Sequence, residues 1–139
     1  MRIELKRLNK GCHMVAKNEE GNEIHIDGAT AVGGEGKGFR PMQLLAAGAA
    51  GCSSIDIISI LTKQRQVLID LQVSVDAKRE IGKVPSLFKT LHLHFILTGN
   101  LDKSKVEKAL DLSLQKYCSV VKIMEKTAKI SYSYEIKKN

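Results

Sequence analysis

Strict alternation of apolar and polar positions opens the chain. Arg2 to Leu8 alternates through Ile3 and Leu5 and predicts a first strand. Cys12 to Lys17 predicts a second, and Glu23 to Asp27, with Ile24 and Ile26 on one side, a third. Glu19-Glu20-Gly21-Asn22 reads as the turn of a hairpin between them. The next stretch, Gly28 to Gly38, clusters Gly33, Gly34, Gly36 and Gly38 and predicts a mobile loop. Its glycines follow neither the GxxxxGK pattern nor the GxGxxG spacing, so it is not a phosphate cradle. The period then changes. Arg40-Pro41 opens a long apolar run, with proline in its favoured first-turn position, and predicts a helix ending near Gln64 or Arg65. A helix apolar nearly all round is a buried helix. Gly48 and Gly51 lie within its run of small residues, and each interior glycine costs about 1 kcal/mol relative to alanine. That cost predicts very close packing against another backbone.

Alternation returns in Leu71 to Ala77 and, after a turn at Gly82 to Pro85, in Lys89 to Leu97. In the second strand Leu91, Leu93 and Phe95 point one way and Thr90, His92 and His94 the other. Ser104-Lys105-Val106-Glu107 fits a capping box. The helix after it carries Val106, Ala109, Leu110, Ser113, Leu114 and Tyr117 on one face, with Tyr117 read as core, and ends near Cys118. Val120 to Lys126 predicts a short helix and Ile130 to Ile136 a last strand. The order βββ-α-ββ-α-α-β is that of an α+β protein with antiparallel pairing.

Length and composition sharpen this picture. The 139 residues predict a single domain over 1–139, barely large enough to cover so apolar a helix by itself, so dimerisation is expected. At 43% hydrophobic and 27% charged residues, the chain has the balance of a soluble globular protein. The start, Met1 to Lys6, lacks the apolar segment of a signal peptide. Ser53, Ser54, Asp56 and Ser59 interrupt the apolar helix, which argues against a membrane span and a membrane partner. Three cysteines without secretion point to a reducing cytoplasm. The net charge of +7 raises the question of nucleic acid. However, acidic residues are interleaved with the lysines and aromatics are only 4%, so no nucleic-acid partner is expected. Lys103, Lys105 and Lys108 read as a solvated helix face.

The candidate chemistry lies in Cys52, inside the long helix, and Cys118, at a helix boundary. Neither belongs to a CxxC pair, so chelation or a thioredoxin-type motif is not indicated. A free cysteine is often buried and inert, and that reading stands for Cys52 taken alone. If folding brings the two thiols together, the natural chemistry is a peroxide-reactive thiol with a resolving thiol. Cys12 reads as a strand cysteine with no role. Asp56 lies one turn after Cys52 on the same helix face, where a carboxylate raises a thiol pKa. It is left out of the catalytic set, as an anchor for a cation or part of a buried network. His92 and His94 share a strand face, but two ligands are too few for a metal, and neither metal nor cofactor is expected.

The stretch Pro41-x-x-Leu44-Leu45-Ala46-Ala47-Gly48-Ala49-Ala50-Gly51-Cys52, with Tyr117-Cys118-Ser119-Val120 and the order of elements, resembles the OsmC/Ohr family of osmotically inducible and organic-hydroperoxide-resistance proteins. Cys52-Ser53-Ser54-Ile55-Asp56-Ile57, Leu93-His94-Phe95-Ile96-Leu97-Thr98-Gly99 and Glu125-Lys126 resemble an OsmC-like, YhfA-type branch of it. The resemblance implies an intertwined homodimer with curved sheets around long central helices and active sites at the subunit interface. It implies thiol-dependent reduction of small organic hydroperoxides, with Cys52 peroxidatic, Cys118 resolving, and an external dithiol as reductant. It also implies a glutamate directly after the helix-opening proline and an arginine from an earlier loop. Here Met42 follows Pro41, Gln43 is polar but uncharged, and Arg40 is the candidate cation beside Arg7 and Lys10. Met42, Gln43, Leu44 and Leu45 are the expected substrate contacts. The rival expectation is a non-catalytic, stress-associated or ligand-binding protein on the same fold.

Overall fold

A computed structural model describes residues 1–138, which form two compact units, Met1–Leu45 and the chain from Ala46 onward. In the first unit, β1 (Ile3–Arg7), β2 (Met14–Asn18) and β3 (Glu23–Ile26) pair antiparallel in that order. The predicted strands are met within one or two residues. Gly21, at φ +86°, takes the left-handed turn position that side chains disfavour.

The glycine-rich segment departs from the expected mobile loop. It is organised by Asp27, whose side chain is 1% exposed. Asp27 Oδ1 accepts the N–H of Gly28 at 2.8 Å, and Oδ2 accepts those of Glu35 at 2.9 Å and Lys37 at 3.0 Å. These bonds, that of Lys37 foremost, hold the carboxyl below its ordinary range. The segment then returns to β3: Phe39 N–H donates to His25 O at 2.9 Å, and Asp27 N–H to Phe39 O at 3.0 Å. A Cβ at Gly34 would overlap the Gly28 carbonyl, and one at Gly38 the His25 backbone. These two glycines serve close backbone approach, which composition alone does not distinguish from flexibility.

The long helix α1 (Pro41–Lys63) begins at the end of the first unit and runs on through the second. It is not buried all round. Ala49, Ser53, Ile57 and Leu61, one every four residues, form its buried stripe. Ile55 is 70% exposed and Ile58 46%. The expected close packing of the glycines is also absent among the described residues: a Cβ at Gly48 would meet only Val120 Cγ1, at 3.8 Å, and one at Gly51 nothing within 4 Å. By length and composition alone α1 is long and apolar enough to cross a membrane.

The second sheet holds β4 (Asp70–Arg79), β5 (Phe88–Thr98) and β6 (Lys129–Lys137), with β5 central. β4 and β5 are antiparallel, with Val73 opposite Phe95. β6 joins β5 in parallel, with Tyr132 opposite Leu93, where antiparallel pairing was expected. The reason is connectivity: the chain passes through α2 (Lys103–Leu112) and α3 (Ser119–Met124) between the two strands, and such a crossover returns a strand in the same direction. Leu91, Leu93, Phe95 and Leu97 are fully buried on one face of β5, each worth about 1.5–3 kcal/mol of burial. Val106, Ala109 and Leu110 of α2 and Val121 of α3 are equally buried. The cap of α2 is Asp102 rather than Ser104: its carboxylate accepts the Lys105 N–H at 3.0 Å and the Ser104 hydroxyl at 2.6 Å. Glu107, expected to complete the box, instead accepts the Tyr134 hydroxyl at 2.6 Å, while Tyr132 donates to Asp111 at 2.7 Å. Both bonds tie β6 to α2.

Candidate functional site

The site is built on the second unit, where α1 meets the junction of α2 and α3. Cys52 is half-buried on α1, one residue before Ser53 of the buried stripe. The hydroxyl of Ser53 is absorbed locally, donating to the Ala49 carbonyl at 2.8 Å. Between α2 and α3 the chain widens into a π turn over Ser113–Tyr117, closed by Cys118 N–H donating to Ser113 O at 2.8 Å. Cys118 then leaves helical geometry, at φ −68° and ψ 99°, and becomes the N-cap of α3, its sulfur accepting the Val121 N–H at 3.5 Å. Wide turn and cap together fix where this thiol sits.

Cys52 and Cys118, separated by most of the second sheet in sequence, come together. Their sulfurs and a carboxylate oxygen of Asp56 all lie within 4.8 Å of one another. Asp56 reaches the thiols because it follows Cys52 by one helical turn. The Ser113 hydroxyl lies 3.1 Å from Asp56 Oδ2 and 3.3 Å from the Ser53 carbonyl, and orients the carboxylate. Burial pushes the Cys118 thiol up to about 12, reinforced by the Cys52 side chain as hydrogen-bond partner and by the negative charges nearby; the Val121 amide opposes the shift. Cys118 is therefore a protonated thiol at neutral pH; it donates to the Ala49 carbonyl at 3.9 Å, with the Cys52 sulfur within 4.8 Å. This arrangement can exchange a proton between two sulfurs, and it can close a disulfide.

Asp56 also borders an open cleft of about 580 Å³, lined further by Ser59, Ile60, Lys63, Gln64, Leu112 and Tyr117. Tyr117, expected in the core, is 50% exposed at this cleft. The π turn is the cause: the extra residue rotates position 117 off the buried face that Val106, Leu110 and Leu114 share. Asp56 was visible as a neighbour of Cys52 from its spacing. Ser113 was legible only as a helix-face residue, because its partner is 57 residues away in the chain.

The other expected site residues belong to other stretches of the chain. Arg40, Met42, Gln43, Leu44 and Leu45 belong to the first unit, around the start of α1. Gln43 Oε1 accepts the backbone N–H of Arg40 at 2.9 Å, a reach-back contact that secures the helix start. Cys12 donates to the Val32 carbonyl at 3.1 Å. His92 bonds Ser131 and Ser133, and His94 bonds Ser133, each at 2.8 Å across the parallel strand pair.

Comparison with known proteins places the chain by family and fold. A family profile described as OsmC-like protein matches residues 34–133. Protein YhfA of Escherichia coli K12 is 38% identical over 128 residues, covering 91% of this chain and 92% of that one. A solved structural-genomics protein, 35% identical, superposes with a TM-score of 0.87 over 100% of both chains. An organic hydroperoxide resistance protein OsmC from Legionella pneumophila, also described as a predicted redox protein, superposes with a TM-score of 0.72 over 97% of both chains at 20% identity.

Proposed function

This chain belongs to the OsmC-like family, and from that premise we propose that it is a thiol-dependent peroxidase for organic hydroperoxides, working as a cytoplasmic homodimer. The observation that carries the reading is the meeting of Cys52 and Cys118, whose sulfurs lie within 4.8 Å of each other. The Legionella protein of the same fold is named for organic hydroperoxide resistance, which agrees with it. In the first step the Cys52 thiolate attacks the O–O bond. One oxygen stays on sulfur as sulfenic acid, and the other leaves as alkoxide, which takes a proton to become the alcohol. In the second, the Cys118 sulfur attacks the sulfenic sulfur. The Cys118 proton departs with the hydroxyl as water, leaving a Cys52–Cys118 disulfide. An external dithiol reduces that disulfide by exchange and becomes a disulfide itself.

The charge balance of the site decides how well this runs. The Asp56 carboxylate beside the two sulfurs opposes further negative charge in the site. A cation is needed, and in this reading Arg40, or a cation from the partner subunit, supplies it. The substrate's alkyl group is assigned to Met42, Leu44 and Leu45, with Gln43 beside them. Two copies are proposed because α1 leaves Ile55, Ile58 and the Gly51 face uncovered.

The test is turnover of cumene hydroperoxide with a dithiol reductant. Cys52→Ser should abolish it, and Cys118→Ser should allow a single oxidation that halts at sulfenic acid or goes on to over-oxidation. Equal turnover in wild type and Cys52→Ser would refute the peroxidatic role. A second reading, a binding protein without peroxidase activity, is favoured by one observation: a carboxylate beside the two thiols works against thiolate formation. It predicts no disulfide on peroxide addition to wild type.

A further inference from the structure

The presence of Asp56 beside two thiols is poorly explained by peroxide chemistry, which is helped by positive charge near sulfur rather than negative. Two sulfurs and a carboxylate oxygen within 4.8 Å of one another form a ligand set of a different kind. The geometry points to a binding site for one zinc-class divalent cation, held by Cys52 Sγ, Cys118 Sγ and a carboxylate oxygen of Asp56.

Several features of the cluster fit this site. Zinc takes thiolate sulfur at about 2.3 Å and carboxylate oxygen at about 2.0–2.2 Å in a tetrahedron, which places the ligand atoms about 3.5–3.8 Å apart. Ligand atoms already within 4.8 Å of one another need to close by only about 1 Å to reach that spacing. Asp56 and Cys52 share one helix face four residues apart, a spacing that directs two ligands at one point. Cys118 comes from the N-cap of α3, where the Val121 N–H fixes its sulfur. The outer support that ligating carboxylates require is present, since the Ser113 hydroxyl lies 3.1 Å from Asp56 Oδ2. Three protein ligands leave a fourth position for water, and the cleft beside Asp56 offers an entry path from solvent.

The charge argument points the same way. Two thiolates and a carboxylate repel one another, and a divalent cation between them adds an attraction to each that outweighs this repulsion. Binding releases the thiol protons to solvent. Two sulfur ligands with one oxygen suit zinc better than magnesium or calcium, which take oxygen alone. Disulfide formation removes both thiolates, so the metal-bound and oxidised states exclude each other.

Cobalt(II) is the probe, added to the fully reduced, full-length protein without peroxide. One equivalent should produce a sulfur-to-cobalt charge-transfer band in the near ultraviolet and intense visible bands of tetrahedral cobalt, both displaced by zinc. Cys12→Ser should keep the bands, since Cys12 is not among the three ligands and its thiol donates to the Val32 carbonyl. Cys52→Ser and Cys118→Ser should each weaken or remove the charge-transfer band. Asp56→Asn should lower zinc affinity about ten- to a hundredfold or more, with far-ultraviolet circular dichroism confirming that each variant is folded. Absence of any band with excess cobalt, or equal zinc affinity in wild type and Cys118→Ser, would overturn the site. Because no peroxide is used, this outcome is separate from that of the peroxidase test: either can fail while the other holds.

Discussion

Met42 occupies the position where the resemblance implies a glutamate paired with an arginine. A carboxylate there orients a guanidinium toward the thiolate, and charge-assisted contacts of this kind are worth about 1.5–3 kcal/mol. If that loss falls on the transition state, the rate is lower by roughly ten- to a hundredfold. Met42→Glu should therefore raise kcat/KM toward cumene hydroperoxide by a factor in that range; no gain would show that the site orients its cation by another route. Asp27 makes a different prediction, about stability and pH. Its folded carboxyl sits below the unfolded value because three backbone N–H groups donate to the charged form. The stabilisation is thus present above the unfolded pKa and lost as pH falls through the folded one. Thermal melts should show wild type losing stability on acidification below about pH 4. Asp27→Asn should be less stable at pH 7 and should flatten that dependence, and parallel pH profiles for the two proteins would contradict the assignment.

The long helix carries the next test. Inside this chain nothing lies within 4 Å of a Cβ at Gly51. If that face is free in solution, Gly51→Ala removes the conformational cost of glycine and stabilises the protein by about 1 kcal/mol. If a second copy packs its backbone there, the added methyl destabilises the assembly instead. Chemical denaturation of the two proteins gives the sign, and a stabilised variant with unchanged association would count against the Gly51 face as an interface. On the opposite side, Ile57 belongs to the fully buried stripe, and Ile57→Ala should cost about 2–5 kcal/mol in the same measurement. A loss below 1 kcal/mol would mean that this stripe is not packed as described.

For the molecule as a whole, the open question is what covers the apolar face of α1. Ile55 and Ile58 are exposed on it, and a second copy is the proposed cover. A homodimer answers it with a self-complementary face, since a two-fold axis places the same patch on both copies. Light scattering on the eluted protein should give twice the chain mass at micromolar concentration. A folded species that remains monomeric at that concentration would rule the dimer out. Partition into lipid vesicles would instead favour the membrane role that the length and composition of α1 allow.

The strands and helices were legible in the sequence because their signals are local. Alternation in Leu91, Leu93 and Phe95 marked a half-buried strand, and Arg40-Pro41 marked a helix start, from side chains a few residues apart. The two cysteine motifs likewise named Cys52 and Cys118 as the residues to watch. Pairing direction was not legible, since β6 is made parallel by the path of α2 and α3, which no strand pattern records. The cap of α2 was misread by two residues because Asp102 and Ser104 are both good caps, and geometry alone chooses between them. The ordering of the glycine-rich segment depended on a carboxylate folded back on backbone amides eight and ten residues ahead of it. Most of all, the company of the two thiols was decided by tertiary structure. Asp56 follows Cys52 through helical periodicity, but Cys118 and Ser113 reach that carboxylate only because a π turn and a helix cap set them there. Local pattern specifies which faces exist; which faces meet is set by packing, and the chemistry of this site is a property of that meeting.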